Sequence, residues 1–417
     1  MENNCSEQTK EAVELLKKLI ATPSVSRDEK AAADVLEAYM KEKGLNPQRH
    51  GNNVWCISSL QTLPSPSLQG GSSISANERK TDEQGNDSLP AGRVRGGSTI
   101  LLNAHIDTVK PVAGWQRDPF TPTVEGDRLY GLGSNDCGGG LVALLMAFQT
   151  LSPTLPHNGE EVHTGCLSLG NKPDGLPITG EMSAGQRGSS IIFLASCEEE
   201  VSGKNGIESV LPLLPKIDFA IVGEPTGMQP AIAEKGLMVI DATAHGTAGH
   251  AARNEGDNAI YHAMKDIQWL SEWQFPKQTD LLGPVKNTVT IVNAGTQHNV
   301  IPDTCTFTID VRSNECYTNE EIFAFFQEHL TSDLKARSFR LSSSKIDVEH
   351  PFVQACIKEG LKPFGSPTLS DQALMRFPSL KLGPGESSRS HTADEYIKIS
   401  EIDHAISLYV KLLSSLK

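Results

Sequence analysis

No apolar run in the 417-residue sequence approaches the roughly 20 residues a helix needs to cross a bilayer. The first ten residues, MENNCSEQTK, lack the apolar stretch of a secretory signal, so a cytoplasmic protein is expected. Positive charge is also short: 37 Lys and Arg face 51 Asp and Glu, a net charge of −14. That balance argues against nucleic acid and anionic membrane as partners. Cysteine pairs are missing as well. The eight cysteines, at 5, 56, 137, 166, 197, 305, 316 and 356, show no C-x-x-C spacing. They fit reduced thiols better than a disulfide frame or a structural zinc site.

What is there is the composition of a globular chain, 38% hydrophobic and 21% charged, long enough for one large or two ordinary domains. Apolar residues at 12, 13, 15, 16, 19 and 20 make a helical stripe. Ser26-x-x-Glu29 has the form of a capping box, and Gly44 ends the helix that follows. Residues 54–57 read as a strand. Two stretches then lose all periodicity: 16 of the 38 residues in 61–98, and 14 of the 37 in 152–188, are Pro, Gly or Ser. Both read as insertions, because α/β patterning resumes after each.

The informative stretch is 99–148. Ile100, Leu101 and Leu102 form a buried strand that ends in His105-Ile-Asp107, with His105 and Asp107 pointing the same way. Asp136 follows, then three glycines, then an apolar helix over 141–148. Sites in open α/β sheets collect beyond the carboxyl ends of strands. The pattern repeats twice. SIIFLA (190–195) runs into Cys197-Glu198-Glu199-Glu200, and after apolar stretches at 211–214 and 219–222 comes Gly223-Glu224. A satisfied turn histidine or a solvated acidic turn would explain one such case; three favour a metal site.

Residues 236–340 have their own order. Strands at 238–245, 288–292, 305–312 and 338–342 alternate with helices at 259–270 and 320–330, the β-α-β-β-α-β split unit of ferredoxin-like domains. The α/β pattern returns afterwards, with a helix at 351–361, a strand at 380–382, a Gly383-Pro-Gly385 turn, His391 and a final helix from Glu401. The unit is therefore inserted. The expected division is a catalytic part, 1–234 with 341–417, and an inserted dimerisation or lid domain, 235–340.

Taken in order, HIDTV, GLGSNDCGGG, CEEEVSGKNG, VGEPTG, GTAGHAA, HNVIPD, DVR and GPGESSRSHTADEY resemble the M20 family of metal-dependent amidohydrolases, across the whole chain except the two insertions. The stretches IAEKGLMV, NAGTQHNVIPDT and SPTLSDQALM look most like its acetylornithine deacetylases of the Bacteroidetes type. The resemblance implies an α/β zinc-exopeptidase-like fold with the inserted ferredoxin-like domain, and two divalent ions, zinc or, in its place, cobalt or manganese. His105 and Glu224 would bind one ion, Glu200 and His391 the other, and Asp136 would bridge them. Glu199 would be the general base, with Glu198 standing where the family has Asp. Asp107 would hold His105 in its coordinating tautomer. The partner subunit's His250 would steady the oxyanion, so a homodimer is expected. Asn299 and Arg312 would hold the substrate carboxylate, and Gly385 would touch substrate.

The implied reaction is hydrolysis of an N-acyl-amino acid, N²-acetylornithine or the acetyl or succinyl derivative of citrulline or ornithine, in arginine biosynthesis. A dipeptidase or carboxypeptidase of the same family is the alternative, and a non-catalytic metal-dependent binding protein a remoter one. The chain departs from many members at Leu132, where they carry Arg, and at Cys137-Gly138, where they carry Met-Lys. Cys137 is expected to point away from the ions. Glu234, Lys235, Asp394 and Glu395 read as structural.

Overall fold

The computed structural model describes residues 6–59, 97–152, 189–253 and 255–416. The stretches at 61–98 and 152–188 fall almost entirely outside the described residues.

Helix α1 (Glu7–Ile20) buries Ala12, Val13, Leu15, Leu16 and Ile20, the stripe that the spacing predicts. Helix α2 (Lys30–Glu42) starts after Glu29 with no side-chain cap. The expected capping box is therefore absent: the Ser26 hydroxyl donates instead to Asp107 Oδ2 at 2.7 Å. Strands β1 (Asn53–Ser59), β2 (Thr99–His105), β3 (Ser190–Ser196), β4 (Phe219–Val222) and β5 (Ala231–Glu234) belong to a nine-stranded sheet. The stretch at 211–214 is not a strand. Pro212 lacks an N–H, and Leu211–Leu213 closes as a single 3₁₀ turn.

The second sheet has four antiparallel strands: β6 (Met238–His245), β7 (Lys286–Ala294), β8 (Thr304–Arg312) and β9 (Asp333–Ala336), in the order β7-β8-β6-β9. Alternate residues of β6 and β8 (Met238, Ile240, Ala242, Phe307, Ile309, Val311) are buried. They share a core with Ala263 and Leu270 of helix α4 (Ala259–Glu272) and Ile322 and Phe326 of helix α5 (Asn319–His329). The last strand lies earlier than the sequence suggests. In 338–342 the carbonyls of Phe339 and Leu341 accept from Asn319 Nδ2, at 3.2 and 2.8 Å, and Leu341 O also accepts from Leu237 N at 3.0 Å, with no ladder.

The chain then rejoins the large sheet through helix α6 (Pro351–Lys358), strand β10 (Ser379–Lys381) and helix α7 (Ile399–Ser414). In that sheet β3, β2, β4 and β10 lie side by side and parallel, so all four carboxyl ends open on one edge. Helix α3 (Gly139–Leu151), which follows Asp136, is apolar all round because it is buried all round, between the sheet, α1 and α7. Its first turn touches the end of β4, where a Cβ on Gly140 would come 1.8 Å from the Gly223 carbonyl oxygen. Only glycine permits that approach, and it brings Asp136 and Glu224 to the same edge.

Candidate active site

His105 ends β2 and is 2% exposed. Its Nδ1 lies 2.8 Å from the main-chain oxygen of Asp107, so Nδ1 carries the proton and donates it there. The Asp107 carboxylate is farther, at 3.6 Å. The ring is thus held by the Asp107 backbone. Its Nε2 then faces Asp136 Oδ1 at 3.2 Å and Glu224 Oε1 at 3.6 Å. A lone pair turned toward two carboxylate oxygens is repulsive unless a cation lies between them. Glu224 Oε1 is buried with no hydrogen-bond partner, which fits a donor set built for a metal ion.

Asp136 reaches across to a second group. Its Oδ2 is 3.7 Å from His391 Nε2, and the two Glu200 oxygens lie 3.0 and 3.2 Å from the same nitrogen. His391 sits in the left-handed region at φ +57°. Asp136, Glu200 and His391 offer ligand atoms within 4.8 Å of one another, as do His105, Glu199 and Glu200. Burial, and then the charge of Asp136, pushes the Glu224 carboxyl up to about 8. The hydrogen bond to Glu200 raises His391 to about 9, and burial lifts Glu199 well above the usual carboxylate range. These shifts describe an anionic cluster that takes up positive charge.

The three consecutive acids diverge. Glu198, at φ +55°, turns away and accepts from Asn205 Nδ2 at 2.9 Å. Glu199 and Glu200 turn into the cluster, held by the Asp107 carboxylate, which accepts their main-chain N–H groups at 3.0 and 3.1 Å. Glu29, fully buried, braces the same turn by accepting from the Glu198 N–H at 3.2 Å and from Asn52 Nδ2 at 2.9 Å. Cys137 does not point away. Its Sγ accepts from His105 N at 3.2 Å and lies within 4.8 Å of ligand atoms of His105 and Glu224.

The remaining site residues have other partners. His250 and Asn299 are brought together by a short ladder, in which His250 pairs with Val300 and Ala251 N donates to Asn299 O at 3.0 Å. Both are exposed, and His250 Nδ1 accepts from Ala252 N. Arg312, at the end of β8, is paired with Asp310 at 2.8 and 3.2 Å. Gly385, at φ +83°, packs against Asn135, whose Oδ1 would lie 2.2 Å from a Cβ there.

Sequence reasoning gave no role to Ser26 beyond a cap, nor any to Asn135 or Glu395. Each bonds a turn far away in the chain, and no local motif encodes that. The one available signal for Glu395 was its place four residues after His391.

Residues 101–164 match the family model for peptidase family M20/M25/M40, and residues 232–338 match that for a peptidase dimerisation domain. A succinyl-diaminopimelate desuccinylase of Gluconobacter oxydans is 25% identical over 56% of this chain and 56% of its own. An acetylornithine deacetylase of Proteus mirabilis is 24% identical over 97% of this chain and 96% of its own. Among solved structures, the Bacillus subtilis YXEP protein, a dinuclear metal binding peptidase from the M20 family, superposes with a TM-score of 0.61 at 14% identity over 98% of each chain.

Proposed function

We propose that this chain, a member of the M20/M25/M40 peptidase family, is a metal-dependent deacylase. It would hydrolyse the amide of an N-acyl-amino acid, N²-acetylornithine in first place, with acetyl- or succinyl-citrulline and succinyl-ornithine as the alternatives, in arginine biosynthesis in the cytoplasm. The observation that carries the reading is the convergence of two imidazoles and four carboxylates at the ends of parallel strands, with Glu224 Oε1 buried and unpartnered.

His105, Asp136 and Glu224 would hold one divalent ion. Asp136, Glu200 and His391 would hold the second. The mixed imidazole and carboxylate donors suit zinc, with cobalt or manganese as substitutes. When bound, such a pair supplies Lewis acidity to the amide carbonyl and makes a water acidic near neutral pH. Glu199 would take the proton of the attacking water and return it to the departing α-nitrogen, so the one carboxyl would serve as base and then acid. Asp107 sets where Glu199 stands by gripping its N–H. Arg312 and Asn299 would take the free carboxylate of the substrate. The Arg312 fork is already paired with Asp310, so binding exchanges one carboxylate for another. Gly385 would line the substrate's path.

Among the described residues, the hydrogen bonds and pairing of His250 involve Ala252 and Val300 rather than the cluster, which supports a role for the partner subunit's His250 as oxyanion donor. We place the inserted domain at 235–340 and the catalytic part at 1–234 with 341–417. Edge strand β7 leaves Ile291 and Val292 about half exposed, at 51% and 53%, and neighbouring α4 leaves Tyr261 and Met264 at 65% and 58%. A second copy would cover them in a homodimer.

Amine release from N-acetylornithine, N-acetylcitrulline and their N-succinyl counterparts, with zinc and with chelator, tests the reading. Chelator-sensitive turnover of one compound supports it and names the substrate. No turnover of any, with zinc bound, replaces it with a dipeptidase or carboxypeptidase.

A further inference from the structure

We propose that Glu395 is a positioning residue for the metal centre: it locks the turn carrying Asp136 to the turn carrying His391 and so sets the affinity for zinc. The inference rests on the two-metal reading above.

Glu395 is 2% exposed. Its Oε1 accepts from the main-chain N–H of Asn135 at 2.8 Å and of Asp136 at 2.9 Å, and its Oε2 from that of Gly133 at 3.1 Å. Its own carbonyl accepts from Gly131 N at 3.0 Å. Among the described residues no Lys, Arg or His lies within ion-pair distance of it. Its charge is met by N–H dipoles instead, all from the turn that ends in Asp136. Asn135 returns the link from the other side. Its Nδ2 donates to Glu386 O at 3.1 Å and to Ser390 Oγ at 3.3 Å, and its Oδ1 accepts from Glu386 N at 3.1 Å. The turns 131–136 and 386–395 are thereby laced together on both sides of His391. Asp136 and His391 come from distant parts of the chain and stand 3.7 Å apart across the centre. The main-chain N–H of Asp136 itself is one of the three bonds. Moving that carboxylate therefore moves a ligand directly.

Glu395→Gln keeps the side chain's outline but turns an amide N–H₂ on the N–H of Gly133 or of Asn135 and Asp136, donor against donor. Partners that orient ligands in this way are worth about 10- to 100-fold in metal affinity.

The test is titration of the metal-free, full-length protein with Zn²⁺ against a chromophoric chelator, for wild type, E395Q and Glu395→Asp, with the melting temperature of each metal-free protein alongside. The expected result is two zinc ions bound by wild type and an affinity about 10- to 100-fold weaker in E395Q, with a smaller loss in Glu395→Asp, which keeps the charge. Unchanged zinc affinity with a lowered metal-free melting temperature would make Glu395 merely structural and overturn the proposal. If E395Q does not fold, Glu395→Asp decides: an affinity equal to wild type overturns it, and a weaker one supports it. Failure of wild type to bind two ions would instead overturn the two-metal reading itself.

Discussion

Asp107 accepts the main-chain N–H of Glu199 at 3.0 Å. The strand that presents His105 thus also suspends the turn that presents Glu199, and the two cannot shift independently. The third partner of that carboxylate, Ser26, approaches from the loop before α2. Asp107→Asn can keep the shape but not three acceptor bonds. Turnover is expected to fall about 100-fold, whereas Ser26→Ala, which removes one neutral donor, costs less than about 10-fold. Steady-state rates of the two variants check this. Equal losses would refute the ranking.

Glu199→Gln removes the proton carrier and leaves His105, Asp136, Glu200, Glu224 and His391 in place. We expect kcat to drop about 10²- to 10⁴-fold, with bound zinc unchanged by elemental analysis. A variant that lost metal along with activity would show that Glu199 is a ligand rather than a base.

Removing metal should do more than stop turnover. Without cations, Asp136, Glu200 and Glu224 face one another around two imidazoles. Zinc at 100 times its dissociation constant adds about 2.7 kcal/mol to stability, or roughly 3 °C in Tm for a chain of this size. Calorimetry with chelator and then with excess zinc measures it. A Tm indifferent to chelator would contradict metal binding at this cluster.

Much of this centre is legible in the sequence, and the reason is geometric. Buried parallel strands are short apolar runs, and their carboxyl ends are marked by the first polar residues after them. His105 and Glu224 follow that rule, and so does the acidic run to Glu200. The β-α-β-β-α-β order is visible because Met238–His245 and Thr304–Arg312 each bury one face and expose the other. What escapes is whatever depends on a distant partner. Ser26 has the spacing of a cap and bonds Asp107 instead. Strand β9 displaces the expected 338–342 because Asn319 takes that segment's carbonyls. Glu395 is invisible for the same reason: its three donors lie more than half the chain away.

The loop that carries His391 should also register pH. Arg389 grips Glu401 with two bonds, at 2.7 and 2.9 Å. Burial is the largest single influence and works to raise the Glu401 pKa, but the hydrogen bonds from Arg389 and the Lys398 N–H, with the charges of both residues, together outweigh it, and the folded value lies below the ordinary 4.5. The pair's contribution is therefore complete above about pH 4.5 and is lost as pH falls through the lower folded value. Glu401→Gln should lower Tm at pH 7 and converge with wild type in acid. Parallel Tm-versus-pH curves would count against it.

A buried pair lies near the centre. Lys381 Nζ is 3.0 Å from Glu234 Oε2, and Ser370 Oγ donates to the same oxygen at 2.8 Å. Both side chains are essentially buried. Lys381→Met strands a buried carboxylate and should cost about 3–5 kcal/mol, while Lys381→Met combined with Glu234→Leu should recover most of it. Urea denaturation of the two variants decides. A double variant no more stable than the single one would show that the pair is not coupled.

The parallel strand ends also impose an order in time. His105 lies in the first third of the chain and His391 in the last tenth. An ion held by Asp136 and His391 would act as a reversible cross-link that closes more than half of the chain into a loop, the kind of tie whose benefit grows with the length it closes. It cannot form on a growing or truncated chain, however well β2 and β3 have paired. A chain cut before His391 would therefore keep its large sheet begun and its acidic cluster unneutralised.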